Sequence, residues 1–281
     1  MYVSIDLGKS NTRVASSKDL KIIDKVEKFP TFKDLAAEKS AIREAIYKVA
    51  NAEAVKFVCV GMPGILNKMS GTFYKMAIYE ELNGLPYDAF VQDCIKGPQV
   101  LFENDAYLGG YGEAVAGSGK EFNVVAYLTL SSGVGGVRIP FKEIDPSFYF
   151  SEPGHQIIVE NGLDDPVCGQ KGCLQAYCSG TAFESIYHMK PEDCSDEKTW
   201  DEFSVHLASG IINIISMWAP EIVVIGGGLS QKFDFYYPGL IENLGKQSFF
   251  PLPEIRKAAF GDESGLHGGF SYINKVIGKS L

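Results

Sequence analysis

Short apolar runs alternate with turn-forming residues along the chain, and helically spaced apolar residues lie between several of them. The runs predict strands at 2–6, 12–15, 55–60, 99–102, 124–130, 137–139 and 221–225. The helical spacing predicts helices after a candidate N-cap at Ser40, over 106–115 and over 203–218. Strands that alternate with helices in this way predict an α/β fold.

One pattern occurs twice. A strand, a loop and a second strand open the chain at 2–15, and the same succession returns at 124–139. The repeat is one of pattern rather than of identity. It predicts two topologically related halves.

Composition and charge restrict the class of protein. The chain has 281 residues, of which 46% are hydrophobic and 22% charged, so disorder is excluded as its main state. The net charge of −9 favours neither nucleic acid nor an anionic membrane as a partner. Without a long apolar run or a secretory signal, we expect a cytoplasmic protein. Its six cysteines are then reduced thiols or metal ligands.

Two glycine- and serine-rich loops, at 7–11 and 131–136, each join two predicted strands. Such loops expose backbone N–H groups that can cradle phosphate, although a single one is usually only a turn. A glycine triplet at 226–228 follows another strand and strengthens the phosphate interpretation. Asp6 lies at the mouth of the first loop, where it would either hold Mg²⁺ or cap the turn.

Two further clusters carry candidate chemistry. Glu103-Asn104-Asp105 follows a strand end, where Asp105 could take a proton from a hydroxyl group, or one of the last two could simply cap the next helix. His155, Cys168 and Cys173 offer three of the four ligands that a structural zinc site needs. Alternatively, they are a structural histidine and two ordinary thiols.

Together these residues resemble the ROK family (repressors, open reading frames and sugar kinases) of the actin-like superfamily. The motifs stand in the family's order: a phosphate loop at 6–13, Gly-x-Pro-Gly at 61–64, Glu-Asn-Asp-Ala at 103–106, a second phosphate loop at 130–136, Glu-x-Gly-His at 152–155, a zinc and sugar motif at 168–175, Ser-Gly at 179–180, an adenosine motif at 220–228 and a closing stretch at 261–268.

The resemblance implies two actin-like (ribonuclease H-like) lobes with an inter-lobe cleft. The first lobe would comprise 1–105, completed by a helix over 268–281. The second would comprise 106–267 and carry an insertion that resembles the zinc motif. Sugar and ATP would be the ligands, with hinge closure on the sugar. Family members are commonly homodimers, and the resemblance implies the same here.

The resemblance also implies a role for each matched residue. Asp105 is the general base on the sugar hydroxyl. The sugar contacts are Gly64, Asn104, Asp105, Glu152, His155 and Gln175. The ATP and Mg²⁺ contacts are Asp6, Gly8, Lys9, Ser10, Asn11, Thr12, Ser131, Ser132, Gly133, Gly226, Gly227 and Gly228. The zinc ligands are His155, Cys168 and Cys173.

The chain departs from the family pattern at several of these positions. Lys9 and Ser10 replace glycine and threonine in the first loop. Pro166 replaces the first zinc cysteine, so zinc is absent or takes a fourth ligand elsewhere, for example Asp165 or Cys178. Gln175 replaces a glutamate and lacks its charge. The sugar-contacting asparagine of the family has no clear counterpart at 76–79.

Three functions follow from these observations. The first is an ATP-dependent sugar kinase, which rests on Asp105, Asp6 and the two loops. The second is a catalytically silent sugar- or nucleotide-binding regulator, which rests on the departures at Lys9, Pro166 and Gln175. The third is a zinc hydrolase, the weakest because the sequence has no HExxH-type helix. We expect no DNA binding from the chain as given, since it starts at the first phosphate strand.

Overall fold

The chain divides by its internal packing into two units. The structure, a computed structural model, describes residues 1–144 and 151–279. The described part of unit 1 is residues 1–116, 144 and 263–279, and that of unit 2 is residues 117–143 and 151–262. Each unit has a hydrophobic core of its own.

Unit 1 is built on a five-stranded mixed sheet with the strand order β3-β2-β1-β4-β7. Strands β1, β4 and β7 are parallel, whereas β2 is antiparallel to both its neighbours. Its elements in chain order are β1 (Tyr2–Leu7), β2 (Asn11–Ser17), β3 (Lys25–Pro30), α1 (Leu35–Ala50), β4 (Phe57–Met62), β5 (Gly64–Asn67), β6 (Thr72–Met76), α2 (Asp88–Val91), β7 (Gln99–Asn104), α3 (Asp105–Val115) and α8 (Ser264–Lys279).

Helices cover both faces of this sheet. Ile5 and its neighbours on one face of β1 share a core cluster with Ile42 of α1. On the other face, Cys59 of β4 packs in a cluster with Leu108 of α3 and Phe270 of α8. Burial on both faces explains why β4 is a nearly continuous apolar run rather than an alternating one.

Unit 2 contains a four-stranded sheet with the order β11-β10-β8-β9, in which only β9 runs antiparallel to its neighbour. Its core surrounds α6, which packs on α7. Its elements in chain order are β8 (Val124–Leu130), β9 (Val134–Pro140), α4 (Gln175–Cys178), α5 (Gly180–Tyr187), α6 (Glu197–Trp218), β10 (Ile222–Gly226), α7 (Phe233–Gln247) and β11 (Glu254–Lys257).

The repeated pattern corresponds to one topology in both units. In each, an antiparallel hairpin (β1–β2 or β8–β9) is flanked by a strand parallel to its first member (β4 or β10). The prediction of two related α/β halves is therefore confirmed.

Several element limits were predicted wrongly. Helix α1 begins at Leu35, because the side chain of Asp34 rather than Ser40 caps it by accepting the Ala37 N–H. Strand β9 begins at Val134, so Gly135 and Gly136 lie in a strand and not in the predicted loop. Gly136 is required there by crowding, since a Cβ would lie 2.5 Å from the carbonyl oxygen of Tyr127.

The limits of the two units also differ from the predicted division. Helix α3 belongs to unit 1, whereas the prediction began the second lobe at residue 106. The reason is the close packing of α3 on α8, which itself begins at Ser264 and not at residue 268. Residues 145–150 of the predicted second lobe, and 280–281 of the predicted closing helix, lie outside the described residues.

Glycines allow α3 and α8 to approach this closely. A Cβ on Gly112 of α3 would lie 2.7 Å from the backbone nitrogen of Gly268, and one on Gly268 would lie 1.8 Å from the carbonyl oxygen of Leu108. Ser264 of α8 adds a buried hydrogen bond of 2.9 Å to Glu113 of α3. The backbones of the two helices are thus in direct contact.

The sequence has no apolar run long enough to span a membrane, and the helices of the described residues bear on that expectation. Within 1–144 and 151–279, no helix combines the length and the apolar character needed to cross a bilayer.

We expect Gly268→Ala to lower the free energy of unfolding by about 3 kcal/mol, because its Cβ would separate two touching helix backbones. Gly278→Ala is the matched control in the same helix, since a Cβ there meets no atom within 4 Å. The control should be neutral or stabilising by up to about 1 kcal/mol. Urea unfolding measures both variants, and equal effects would contradict the proposed role of the contact.

Candidate functional site

The first predicted phosphate loop lies between β1 and β2 in unit 1. The N–H of Gly8 donates to the carbonyl oxygen of Asn11 at 3.1 Å, and Thr31 Oγ1 donates to the carbonyl oxygen of Gly8 at 2.7 Å. Lys9 and Ser10 are exposed at its tip. The loop is therefore a closed turn whose outer residues can face a ligand.

Thr12 supports this loop from inside. Its side chain is fully buried, and its hydroxyl donates to Glu38 Oε1 at 2.5 Å and lies 3.0 Å from Thr31 Oγ1. Glu38 is also fully buried and accepts the N–H of Phe32 through its other oxygen, at 2.8 Å. We therefore assign Thr12 to bracing the loop rather than to a phosphate contact through its hydroxyl.

Asp6, the penultimate residue of β1, lies beside Arg13 and the start of α8. It is the cross-strand partner of Arg13, whose Nη1 lies 3.4 Å from Asp6 Oδ2. A Cβ on Gly265, the second residue of α8, would lie 2.9 Å from the carboxyl carbon of Asp6. The Asp6 carboxylate thus lies against the first turn of α8, where the helix dipole favours negative charge.

Asn104 and Asp105 occupy different positions at the start of α3. Asn104 is the N-cap and accepts the Tyr107 N–H at 3.0 Å, so capping is confirmed for this residue. Its amide also donates to the carbonyl oxygen of Gly64 at 3.1 Å, which brings two predicted sugar contacts together. Asp105 is the first helical residue and is partly exposed. The cap therefore fixes the position of the candidate base.

Glu103, directly before them, has a partner that the sequence analysis missed. Its side chain is fully buried, and its Oε2 lies 2.6 Å from Nζ of Lys68 in the turn between β5 and β6. The ammonium group of Lys68 also lies 5.0 Å from the ring centroid of Tyr107. Burial raises the pKa of Glu103, and the nearby Lys68 opposes this rise.

The second predicted phosphate loop, in unit 2, is held by the start of α5. The carbonyl oxygen of Ser131 accepts the Gly180 N–H at 2.6 Å, and that of Ser132 accepts the Thr181 hydroxyl at 2.8 Å. Within the loop, the Ser131 N–H donates to Gly133 at 2.9 Å. The carbonyl oxygens of Ser131 and Ser132 are therefore held by the start of α5, which fixes the backbone of the loop.

The glycine triplet at 226–228 lies against the strand that leads into this loop. Gly227 has a φ of 80°, and a Cβ there would lie 2.4 Å from the carbonyl oxygen of Leu130. Gly228 has open space around the position of a Cβ. The structure thus brings the triplet and the second loop together.

Glu152 and His155 flank a short turn that packs on the same loop. A Cβ on Gly154 would lie 2.0 Å from the carbonyl oxygen of Val134, the residue that follows the loop. Glu152 is exposed and His155 half-buried. The Glu-Pro-Gly-His turn is therefore in direct backbone contact with the second loop.

His155, Cys168 and Cys173 come together as predicted. Their ligand atoms all lie within 4.8 Å of one another, and no other such cluster of metal-ligating side chains occurs in the part of the chain that the structure describes. Neither Asp165 nor Cys178 belongs to this cluster, and Pro166 carries no ligand atom. Burial raises the pKa of Cys173 to about 11, so metal binding would have to displace its proton.

Asp165 nevertheless contacts the cluster. It is buried, and its Oδ2 accepts a hydrogen bond from Cys173 Sγ at 3.7 Å and from Gln175 Nε2 at 2.9 Å. Gln175 is also buried, and its Oε1 accepts the Val134 N–H at 2.9 Å. The predicted sugar contact Gln175 therefore has protein partners at both ends of its amide.

Comparisons with known proteins agree with this set of motifs. The profile of the ROK family matches residues 2–276. The chain is 26% identical to the glucokinase of Thermotoga maritima, over 98% of both chains. It is 28% identical to an N-acetyl-D-glucosamine kinase of Escherichia coli, over 95% of this chain and 97% of that one.

Solved structures show the same fold. A ROK family glucokinase from Streptomyces griseus, in complex with glucose and AMPPNP, matches with a TM-score of 0.83 at 20% identity, over 96% of this chain and 98% of that one. A ROK family transcriptional regulator, a homologue of the Escherichia coli MLC protein, matches with a TM-score of 0.82 at 18% identity, over 98% of this chain and 77% of that one. The likeness therefore covers kinases and a regulator alike.

We expect Lys68→Met to destabilise the protein in a pH-dependent way. Without the ammonium group, the folded-state pKa of Glu103 rises further above its unfolded value, so stability falls as pH increases between the two values. The loss should be small at about pH 4 and reach about 3 kcal/mol near pH 7. Denaturant unfolding at both pH values measures it.

Lys75→Met is the matched control, because Lys75 is exposed on β6 of the same hairpin. This variant should show no pH-dependent loss. A Lys68→Met deficit of equal size at both pH values would mean that the ion pair with Glu103 does not account for it.

Proposed function

The chain belongs to the ROK family, and from this we propose that it is an ATP-dependent sugar kinase, which transfers the γ-phosphate of ATP to a hydroxyl group of a hexose or a hexose derivative. The observation that carries the proposal is the placement of Asp105 as the first residue of α3, directly after the N-cap Asn104. The relatives named glucokinase and N-acetyl-D-glucosamine kinase support the substrate class.

In this mechanism Asp105 accepts the proton of the sugar hydroxyl. The hydroxyl oxygen forms a bond to the γ-phosphorus of ATP, and the bond from that phosphorus to the β–γ bridging oxygen breaks, so ADP leaves with the electron pair. A base of this kind contributes roughly 10²–10⁴ in rate, and positioning and charge neutralisation supply most of the rest.

Most of the remaining predicted residues would hold the reactants. Gly64, Asn104, Glu152 and His155 would contact the other sugar hydroxyls. The phosphates would lie on the loop that contains Gly8, Lys9, Ser10 and Asn11, and on the loop that contains Ser131, Ser132 and Gly133. The nucleoside would lie on residues 226–228.

The proposal includes two metal ions, because the chain offers donor atoms that suit each of them. The carboxylate of Asp6 suits Mg²⁺, which neutralises phosphate charge when bound. The imidazole of His155 and the thiols of Cys168 and Cys173 suit zinc and would fill three of its four ligand positions. A bound zinc would order the segment that carries these ligands. A homodimer and a cytoplasmic location remain predictions.

A catalytically silent sugar- or nucleotide-binding regulator is the second candidate. The structural likeness to a transcriptional regulator of the family favours it, as do the departures at Lys9, Pro166 and Gln175. The two candidates differ in whether bound sugar leads to turnover of ATP.

We expect sugar-dependent release of ADP when the protein is mixed with Mg·ATP and a panel of hexoses that includes glucose and N-acetylglucosamine. Asp105→Asn should reduce kcat by about 10²–10⁴ while sugar still raises the melting temperature, since the amide cannot accept the proton. Coupled ADP detection and thermal unfolding measure the two effects.

Asp88→Asn is the matched control, because Asp88 is an exposed aspartate at the first position of helix α2. It should leave kcat within about twofold of the parent. Stabilisation by a sugar without any ADP release would favour the regulator over the kinase.

We expect about one equivalent of zinc per chain by inductively coupled plasma analysis, falling sharply in Cys168→Ser because one of three ligands is lost. Cys94→Ser serves as the control: this thiol lies outside the cluster and donates to the carbonyl oxygen of Phe90, which a serine hydroxyl can also do. Less than about a tenth of an equivalent in the parent protein would remove zinc from the proposal.

A further inference from the structure

The amide of Gln175 joins two segments of unit 2 that are distant in sequence. Its Oε1 accepts the N–H of Val134 at 2.9 Å, and its Nε2 donates to Asp165 Oδ2 at 2.9 Å. Only 7% of the residue is exposed. A buried amide that is bonded at both ends is held in one orientation.

Asp165, which accepts the hydrogen bond from Gln175, also has partners at both of its carboxylate oxygens. It is 2% exposed, and its Oδ1 accepts the N–H groups of Val167 and Cys168 at 2.7 and 2.8 Å. Its Oδ2 takes the bond from Gln175 and a weaker one from Cys173. The carboxylate therefore organises the turn at 165–168 and ties it to Gln175.

Val134, at the other end of the amide, closes the second phosphate loop. The Gln175 bond holds its N–H, and the Gly154 turn lies against its carbonyl oxygen. The loop itself is close by, because a Cβ on Gly133 would lie 2.7 Å from Gln175 Oε1. The position of this loop thus depends on where the amide of Gln175 is held.

The two bonds demand an acceptor towards Val134 and a donor towards Asp165. An amide offers both, whereas an ionised carboxylate offers acceptors only. The family pattern has a glutamate at 175. An ionised glutamate there would replace the donating NH₂ group with a carboxylate oxygen, about 2.9 Å from Asp165 Oδ2, and two oxygens without a proton between them repel each other. The glutamine is therefore matched to the carboxylate of Asp165, which stands next to Pro166 where the pattern has a cysteine.

We propose that Gln175 and Asp165 form a brace that positions the second phosphate loop for the nucleotide, so that Gln175 is a positioning residue and not a sugar contact. The proposal rests on the proposed kinase function only in naming the nucleotide as the ligand of this loop. On this proposal, the replacement of glutamate by Gln175 gives the residue a positioning role, and it is not a loss of sugar recognition.

The test is an exchange of the hydrogen-bonding groups of the pair. Gln175→Glu leaves two carboxylates facing each other and should raise the dissociation constant of a non-hydrolysable ATP analogue, and the KM for ATP, about tenfold. Adding Asp165→Asn supplies an amide donor to the new glutamate, so the double variant should return to within about threefold of the parent.

The sugar provides the internal comparison. The KM for the sugar should change less than about threefold in all of these variants, because the brace acts on the other ligand. A shift in the sugar KM with an unchanged nucleotide constant would overturn the proposal. So would a double variant that binds the nucleotide as weakly as Gln175→Glu alone.

Two measurements keep the outcomes separate. Thermal unfolding shows whether each variant is folded, and its zinc content shows whether it holds as much metal as the parent. If Gln175→Glu does not fold, rescue of folding by Asp165→Asn tests the same pairing. Analogue binding is measured without turnover, so an absence of kinase activity in the parent protein would refute the proposed function and leave the brace to stand or fall on binding.

Discussion

The direct contact between the backbones of α3 and α8 determines the arrangement of the candidate chemistry in unit 1. Gly112 and Gly268 lie at the crossing, where no side chain fits. Helix α3 begins with Asp105, and the first turn of α8 lies against Asp6. One helix pair therefore carries the predicted base and supports the predicted magnesium ligand. A displacement of α3 would move Asp105, and a displacement of α8 would separate the start of that helix from Asp6, although the two carboxylates are about a hundred residues apart in sequence.

Both predicted phosphate loops are supported in the same physical way. In unit 1 the buried carboxylate of Glu38 accepts hydrogen bonds behind the first loop, and in unit 2 the buried amide of Gln175 holds the end of the second. Buried polar groups are costly unless every partner is present, and once satisfied they hold one conformation. A loop that must present its backbone to phosphate gains from this, because its geometry is set before the ligand arrives.

How far the sequence predicts this protein depends on whether a feature is local. Strand β8 was predicted with its exact limits because apolar β-formers continue up to a serine and glycine turn. Asn104 was recognised as a possible cap from its place before a helix. The Asp6–Arg13 pair follows from the hairpin register, which a tight turn sets. The pairing of Lys68 with Glu103 and of Gln175 with Val134 is non-local, and nothing in the spacing of these residues indicates it. Sequence analysis could find the candidate residues, but not which of them support others.

Letter-by-letter comparison with a family pattern counts Pro166 and Gln175 as two separate losses. The hydrogen bonds of Asp165 indicate a single change, since the same carboxylate organises the turn next to the proline and fixes the glutamine. Substitutions that share a buried partner are coupled, so the effect of either one alone is a poor guide to the pair. The departures are therefore weak evidence against catalysis. Both lie in the segment that contacts the second predicted phosphate loop, whereas Asp105 keeps its place as the first residue of α3 directly after the N-cap Asn104.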